Sequence, residues 1–230
     1  MVKFIESELV QLKKEVDEMW TLVYNQLDRA SEAVLTLNKE LAQQVIVREK
    51  RVNAFELKID SDVEDIIALY NPVAVDLRFV LAMLKINTDL ERLGDFAEGI
   101  ARFVVKCDEP ALDPELIKKL RLEEMFTQVL LMLEVAKQAL NEESLDLATS
   151  VFAKDNLVDE INAEVSPKLV EYIGNNPESL FFCLNLVGVF RKLERSGDHI
   201  NNLAEEIVFY IDAKVLKHQG KTDEHYSQSI

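Results

Sequence analysis

Apolar residues recur at alternating spacings of four and three along two stretches of the chain. The first series is Phe79, Met83, Ile86, Leu90, Leu93, Ala97, Ile100 and Val104. The second is Phe182, Leu186, Val189, Leu193, Ile200, Leu203 and Ile207, with Ser196 as its one polar interruption. This spacing places all the apolar side chains of a series on one face of an α-helix. Continuous apolar faces of this length predict long helices that pack nearly antiparallel.

Residues that typically begin or end helices divide the chain into six predicted helices. The first starts near Phe4, and Asn38 is expected to cap the second. Asn71 is expected to cap the third, with Pro72 at its first helical position. Pro167 should bend the fifth helix or split off its terminal turn. The remaining boundaries are predicted at Asp113–Pro114, at Asn141 and at residues 175–178.

The six predicted helices form two sets of three whose sequences repeat. Three similarities occur in the same order: residues 41–53 with 147–159, 71–72 with 176–177, and 90–95 with 193–198. Repetition in order indicates an internal duplication. Short connections between long helices favour antiparallel neighbours. The sequence therefore predicts an all-α fold of two tandem three-helix bundles, residues 1–108 and 109–216, followed by a flexible polar tail at 217–230.

Composition narrows the possible functions. The formal net charge is -16, from 42 acidic and 26 basic residues, which disfavours binding to nucleic acids and anionic membrane surfaces. Cys107 and Cys183 lie far apart and are expected to be buried thiols. The first residues lack a signal-peptide pattern, and no apolar run is long enough to span a bilayer. We therefore expect a cytoplasmic protein without membrane insertion.

The repeated motif Glu-Arg-x-Gly-Asp carries the most distinctive chemistry. Glu91 and Asp95 lie four residues apart on one helix face, as do Glu194 and Asp198 in the second half. A glycine precedes each Asp, although a glycine inside a helix costs about 1 kcal/mol relative to alanine. A helix tolerates such a glycine where a ligand or another backbone comes close. A tight helix crossing without any ligand is the alternative explanation.

The preceding helix of each half adds another pair of oxygen-bearing side chains. Asp155 and Asp159 form the pair in the second half, and Glu49 and Asn53 occupy the aligned positions in the first. The candidate metal ligands are therefore Glu49, Asn53, Glu91, Asp95, Asp155, Asp159, Glu194 and Asp198, with Glu98 extending the row. Such oxygen ligands suit magnesium, calcium, manganese or ferric iron, and zinc remains possible. Alternatively, the carboxylates are simply solvated.

The two candidate sites are not equivalent in sequence. Asn53 leaves the first set one charge short, so the sites are expected to differ in affinity or occupancy. Motifs for enzymatic chemistry are missing: there is no Gly-rich phosphate loop, no Gly-x-Ser-x-Gly, no His-Glu-x-x-His and no Glu-x-x-His. A redox enzyme of the di-iron carboxylate class is disfavoured by the missing histidines. His199 is expected to have a structural role, and the sequence predicts a non-enzymatic protein.

Three segments resemble the phosphate-uptake regulator (PhoU) family. They are residues 72–78, residues 86–95 and residues 193–205, and the resemblance extends over essentially the whole chain to about Tyr210. It implies two tandem three-helix bundles without catalytic activity, which bind multinuclear metal clusters, of iron or zinc, through Glu/Asp-x-x-x-Asp motifs. Those motifs fall on Glu91/Asp95, Glu194/Asp198 and Asp155/Asp159. The fourth pair, Glu49/Asn53, departs from the pattern at Asn53.

The resemblance also implies a biological role. Members act as negative regulators that link the ATPase of a phosphate ABC transporter to a sensor histidine kinase and repress the phosphate-starvation response. Members are often homodimers. The alternative left open is a helical accessory protein of an inorganic-phosphate permease.

Overall fold

A computed structural model describes residues 2–109 and 111–213, with side chains from residue 5 onward. These residues form seven α-helices and one short 3-10 helix, at Pro177–Ser179. The α-helices are α1 Val2–Thr36, α2 Lys39–Tyr70, α3 Val75–Lys106, α4 Pro114–Leu120, α5 Leu122–Glu142, α6 Leu145–Asn175 and α7 Leu180–Asp212. The all-α prediction is confirmed. The polar tail predicted at 217–230 lies outside the described residues.

Side chains at the helix starts explain several boundaries. Asn38 accepts a hydrogen bond from the backbone N–H of Leu41 at 2.9 Å, as an N-cap residue does. Asp113 likewise accepts from the first N–H groups of α4. The prediction for Asn71 was wrong: this residue ends α2 in the left-handed conformation, with φ of 48°. Asn adopts this conformation readily, and a proline just after a helix end, here Pro72, prevents its continuation.

The fourth predicted helix is divided into α4 and α5. Arg121 lies between them in the left-handed conformation, with φ of 57°. Its side chain donates to Glu124 at 2.7 Å and also contacts Glu160 of α6, which stabilises this break. By contrast, α6 continues through Pro167, so no terminal turn is split off there.

The two halves pack against each other through α3 with α7 and α1 with α5, whereas α2 and α6 contact only their own half within the described part of the chain. Helices α3 and α7 run antiparallel. The start of α3 meets the end of α7, where the rings of Phe79 and Tyr210 are 5.3 Å apart between centroids. At the opposite end, Phe103 meets Phe182 at 5.9 Å. The buried side chains of both halves form one continuous hydrophobic core.

Polar contacts also join the halves. Lys85 donates to both oxygens of the buried Glu206 carboxylate, at 2.9 and 3.0 Å. His199 Nδ1 lies 2.7 Å from Asp89 Oδ1, which agrees with the structural role expected for this histidine. Cys107 and Cys183 are buried free thiols, as expected. Within residues 2–109 and 111–213, no helix has the length and apolar character required to cross a membrane.

Candidate metal centres

The two motif glycines lie where a neighbouring helix comes closest. A Cβ atom added to Gly94 of α3 would be 2.9 Å from Cγ1 of Val52 on α2. A Cβ atom added to Gly197 of α7 would be 2.4 Å from Oδ1 of Asp155 on α6. Both distances are shorter than real Cβ contacts, so close approach explains both glycines. In the first half the neighbour is a core valine, whereas in the second it is a candidate metal ligand.

In the second half, Asp155 lies at the centre of the predicted set. It is only 8% exposed, and burial is the main cause that raises the pKa of its carboxyl, to about 6. Repulsion from Asp159 is the next cause, followed by Asp198 and Glu194. Asn201 opposes these effects by donating a hydrogen bond to Asp155 Oδ2 at 2.6 Å. The fold thus brings all four predicted residues of this half into one electrostatically coupled group.

In the first half, Glu49 occupies the position of Asp155. Burial raises the pKa of its carboxyl, with smaller contributions from Glu98 and Asp95, and a hydrogen bond from Asn53 lowers it. Glu91 is affected more strongly: burial, followed by repulsion from Asp95, raises its pKa to about 7. The four predicted residues of the first half therefore also lie together. Glu98, which extends the motif row, is part of the same group.

Two further carboxylates join this group, and sequence reasoning missed them. Burial and the charges of Asp60 and Asp95 raise the pKa of Glu56. Asp60 accepts a hydrogen bond at 2.9 Å from Asn87, which is fully buried. The signal was present in the sequence, because Glu56 and Asp60 follow Asn53 at helical spacing on α2.

The arginines of the two motifs have different contacts. Arg92 stays beside its own motif, with Nη1 3.3 Å from Asp95 Oδ2 and Nε 3.6 Å from Glu91 Oε2. Arg195 instead lies over the ring of Phe96 in the other half, at 4.9 Å from the ring centroid. The first motif therefore carries its own counter-charge, whereas the second motif uses its arginine to join the halves.

The donor atoms at these centres suit a hard cation. In the second half, Asp155 Oδ1 and Asn201 Oδ1 are buried and have no hydrogen-bond partner. A cation would satisfy such oxygens and relieve the repulsion that raises the pKa of Asp155. In the described residues, however, no three His, Cys, Asp or Glu side chains already stand grouped as a set of metal ligands. Binding a cation would thus require these carboxylates to move closer together.

Comparisons with known proteins agree with the duplicated architecture. The family model described as "PhoU domain" matches residues 16–104 and again residues 122–207. The "Phosphate-specific transport system accessory protein PhoU homolog 1" of Thermotoga maritima is 34% identical over 212 residues, covering 92% of this chain and 90% of the relative.

Solved structures show the same fold. The crystal structure of PhoU from Pseudomonas aeruginosa superposes with a TM-score of 0.85 at 31% identity, covering 91% of this chain and 99% of that one. The phosphate transport system regulatory protein PhoU from Streptococcus pneumoniae gives a TM-score of 0.83 at 26% identity, covering 92% and 99%. The two tandem bundles expected from the sequence are therefore a shared architecture.

Proposed function

Because the chain belongs to the PhoU family, we propose that it is a cytoplasmic, metal-binding negative regulator of phosphate uptake and phosphate-starvation signalling. The family consists of non-enzymatic accessory proteins, in agreement with the non-enzymatic role predicted from the sequence. The observation that carries the proposal is the double PhoU domain, which covers residues 16–104 and 122–207. Each copy contains one cluster of acidic side chains.

The names of the relatives support the phosphate-transport part of this role. The Thermotoga maritima relative is named an accessory protein of a phosphate-specific transport system, and the Streptococcus pneumoniae protein is named a regulatory protein of phosphate transport. These names favour a partner in a transport system of this type over an inorganic-phosphate permease. We infer that the protein associates with such a system as a helper without a catalytic step of its own.

An adaptor between the transporter ATPase and a sensor histidine kinase needs surfaces for protein partners. The start of α7 offers apolar side chains to solvent: Leu180 is 46% exposed, Phe181 80% and Leu184 61%. Clustered exposed apolar residues are typical of protein interaction sites. The same surface is available to a second copy of the chain, in keeping with the expected homodimer.

Metal binding is supported by the two clusters of carboxylates, one in each half of the chain. Each half holds a buried carboxyl whose pKa is raised by burial and by neighbouring acids, Glu49 in the first and Asp155 in the second. Bound cations would neutralise this excess negative charge and stabilise the packing of α2 on α3 and of α6 on α7. Oxygen donors fit iron, manganese, magnesium and calcium, and are compatible with zinc.

Metal analysis tests the first part of the proposal. The protein should be purified without chelators, exposed separately to iron, zinc and manganese, and analysed for bound metal. The variants Asp95→Ala and Asp198→Ala should each lose metal from one half. Glu115→Ala is the matched control, because Glu115 is an exposed acid on α4, a helix that carries no member of either group. A wild-type protein that stays metal-free in all three exposures would refute the metal-binding role.

A genetic experiment tests the regulatory part. Deleting the gene in the source organism should switch on a phosphate-starvation reporter in phosphate-rich medium, and the wild-type gene should restore repression. Unchanged reporter output after deletion would contradict a negative regulator. If phosphate uptake through a permease changed while the reporter did not, the result would favour a permease accessory protein over a negative regulator of phosphate-starvation signalling.

A further inference from the structure

The first three turns of α7 carry no charged side chain. Residues 180–190 are apolar apart from Asn185 and one glycine. A helix segment that is apolar on every face is normally buried on every face. Here, however, Leu180, Phe181 and Leu184 are 46%, 80% and 61% exposed. These three side chains form an apolar surface at the start of α7, which we call the α7 patch.

The corresponding part of the first half is charged. The equal spacing of the two apolar series aligns Phe79 of α3 with Phe182 of α7, and therefore Arg78 with Phe181. Asp76 also lies in the first turn of α3. The duplicated fold thus accepts an arginine at the position of Phe181. The α7 patch is consequently not required by the fold, and another role must explain it.

A small cavity adjoins the α7 patch where α7 meets the end of α3. Its volume is about 140 Å³, and its lining includes Phe103, Phe181, Phe182 and Asn185. The rings of Phe103 and Phe182 are 5.9 Å apart between their centroids. An apolar cavity of about 150 Å³ is large enough to hold a benzene molecule. The cavity can therefore receive one large apolar side chain from a binding partner.

Acidic side chains surround the cavity and the patch. Asp108 and Glu109 line the cavity, and Lys106 is the one base among the described residues that line it. Glu178 is exposed close to the start of α7. Two copies that met face to face through this patch would bring these acids together, and the acids would also repel anionic lipid. The charges instead complement lysine or arginine side chains of a different protein.

We propose that the α7 patch docks a protein segment in which a large apolar side chain stands next to lysine or arginine residues. The apolar side chain enters the cavity beside Phe181, and the basic side chains pair with Asp108 and Glu109. This inference rests on the proposed adaptor function, because it defines the chemistry of the partner that binds this surface. A second copy of the chain binds elsewhere.

Binding of a synthetic peptide tests the apolar part of the site. The probe is a labelled helical peptide with leucines on one face and lysines on the other, and its binding is followed by fluorescence anisotropy. Phe181→Ser and Leu184→Ser should each weaken binding about tenfold, because each variant loses the burial of a large apolar side chain. Both side chains are mostly exposed, so both variants should keep the wild-type Tm. Val10→Ser, at a position on α1 that is 71% exposed, is the matched control and should bind like wild type.

Charge reversal tests the acidic part. Asp108→Lys/Glu109→Lys should weaken binding of the same peptide, and a peptide with glutamates in place of the lysines should not bind the wild-type protein. The control Glu64→Lys/Asp65→Lys changes the net charge equally at two exposed acids near the end of α2, which is connected to the start of α3 rather than to its end. Equal losses in the two double variants, or unchanged binding by Phe181→Ser and Leu184→Ser, would overturn the inference.

Two further measurements separate the inference from the proposed function. Sedimentation should give wild type and Phe181→Ser the same mass; if Phe181→Ser dissociated a wild-type dimer, the patch would belong to a second copy and the inference would be wrong. In the deletion strain, Val10→Ser should restore repression of the phosphate-starvation reporter, whereas Phe181→Ser should not. Full repression by Phe181→Ser would overturn the inference and leave the proposed function intact. If deletion itself leaves the reporter unchanged, the proposed function fails, and the peptide titrations alone decide the inference.

Discussion

Replacing Gly197 with alanine should separate the stability of the protein from its capacity to bind metal. The added Cβ atom would lie 2.4 Å from Oδ1 of Asp155, so one of the two groups must move. The group in the way is the end of a short side chain, and it can rotate. We therefore expect Asp155 to turn out of the α6–α7 groove while both helices stay in place.

The energy terms nearly cancel in the metal-free protein. Alanine in a helix interior is favoured over glycine by about 1 kcal/mol, and a displaced side-chain rotamer costs about 0.5–1.5 kcal/mol. Turning outward also relieves the burial that raises the pKa of Asp155 to about 6, at the expense of its hydrogen bond to Asn201. The free energy of unfolding in chelator should therefore change by no more than about 1 kcal/mol.

Metal binding should respond very differently, because the displaced carboxylate is the most buried acid of its group. A ligand at 100 times its dissociation constant stabilises a protein by about 2.7 kcal/mol, and a tenfold loss of affinity removes about 1.4 kcal/mol of that. Denaturant unfolding with and without manganese measures both quantities. Gly94→Ala is the contrasting variant: its Cβ would lie 2.9 Å from the stiff, fully buried side chain of Val52, so it should destabilise even the metal-free protein.

Two results would refute this reasoning. If Gly197→Ala keeps the full stabilisation by metal and the wild-type metal content, Asp155 is not needed for binding. If Gly197→Ala loses more than about 2 kcal/mol of stability in chelator, the backbone of α7, rather than the Asp155 side chain, has absorbed the clash.

Three further predictions concern individual contacts. In chelator, the stability of Glu91→Gln relative to wild type should rise as pH increases from about 4.5 to about 7, since the raised pKa makes ionised Glu91 destabilising in the folded state. Because Glu91 has partial access to solvent, the gain in stability should be about 1–2 kcal/mol. Denaturant titrations at several pH values measure this gain. A stability difference that does not change with pH would contradict the prediction. Lys85→Ala removes the two hydrogen bonds that the half-exposed Lys85 ammonium donates to the buried Glu206 carboxylate, and it should cost about 1–2 kcal/mol by denaturant titration. A loss below about 0.5 kcal/mol would show that this ion pair contributes little to stability. Trp20→Phe removes the 3.2 Å hydrogen bond to the Leu133 carbonyl and leaves unfilled volume around a fully buried side chain, so Tm should fall by at least about 2–4 °C. An unchanged Tm would contradict this prediction.

Particular residues show why most of the fold could be predicted from the sequence. The apolar series from Phe79 to Val104 occurs on α3 with the buried face that its spacing predicts. Asn38 and Asp113 act as caps because their side chains bond to the nearest backbone N–H groups, which is a local property. The break between α4 and α5 at Arg121 could not be predicted, for the opposite reason. No glycine or proline marks that break, and its contact with Glu160 joins residues far apart in the chain.

Most of the carboxylates of the site were predictable from the sequence, but the contacts between them were not. Helical spacing placed Glu91 and Asp95 on one face, and the duplication identified their counterparts. The hydrogen bond from Asn201 of α7 to Asp155 of α6 joins two different helices, and no spacing rule predicts such a contact. The two glycines also looked equivalent in sequence, although one faces Val52 and the other Asp155.

The continuous core described above also determines what the connection between the halves does. The segment after α3 is exposed at Asp108 and Glu109, where a protease could cut it. A cut there would remove the covalent link, but the two fragments would still be held together by the α3–α7 and α1–α5 interfaces. We therefore expect the two halves to depend on each other as the subunits of an obligate heterodimer do, although one polypeptide carries both. Each half should need the other, rather than the linker, to reach its folded state.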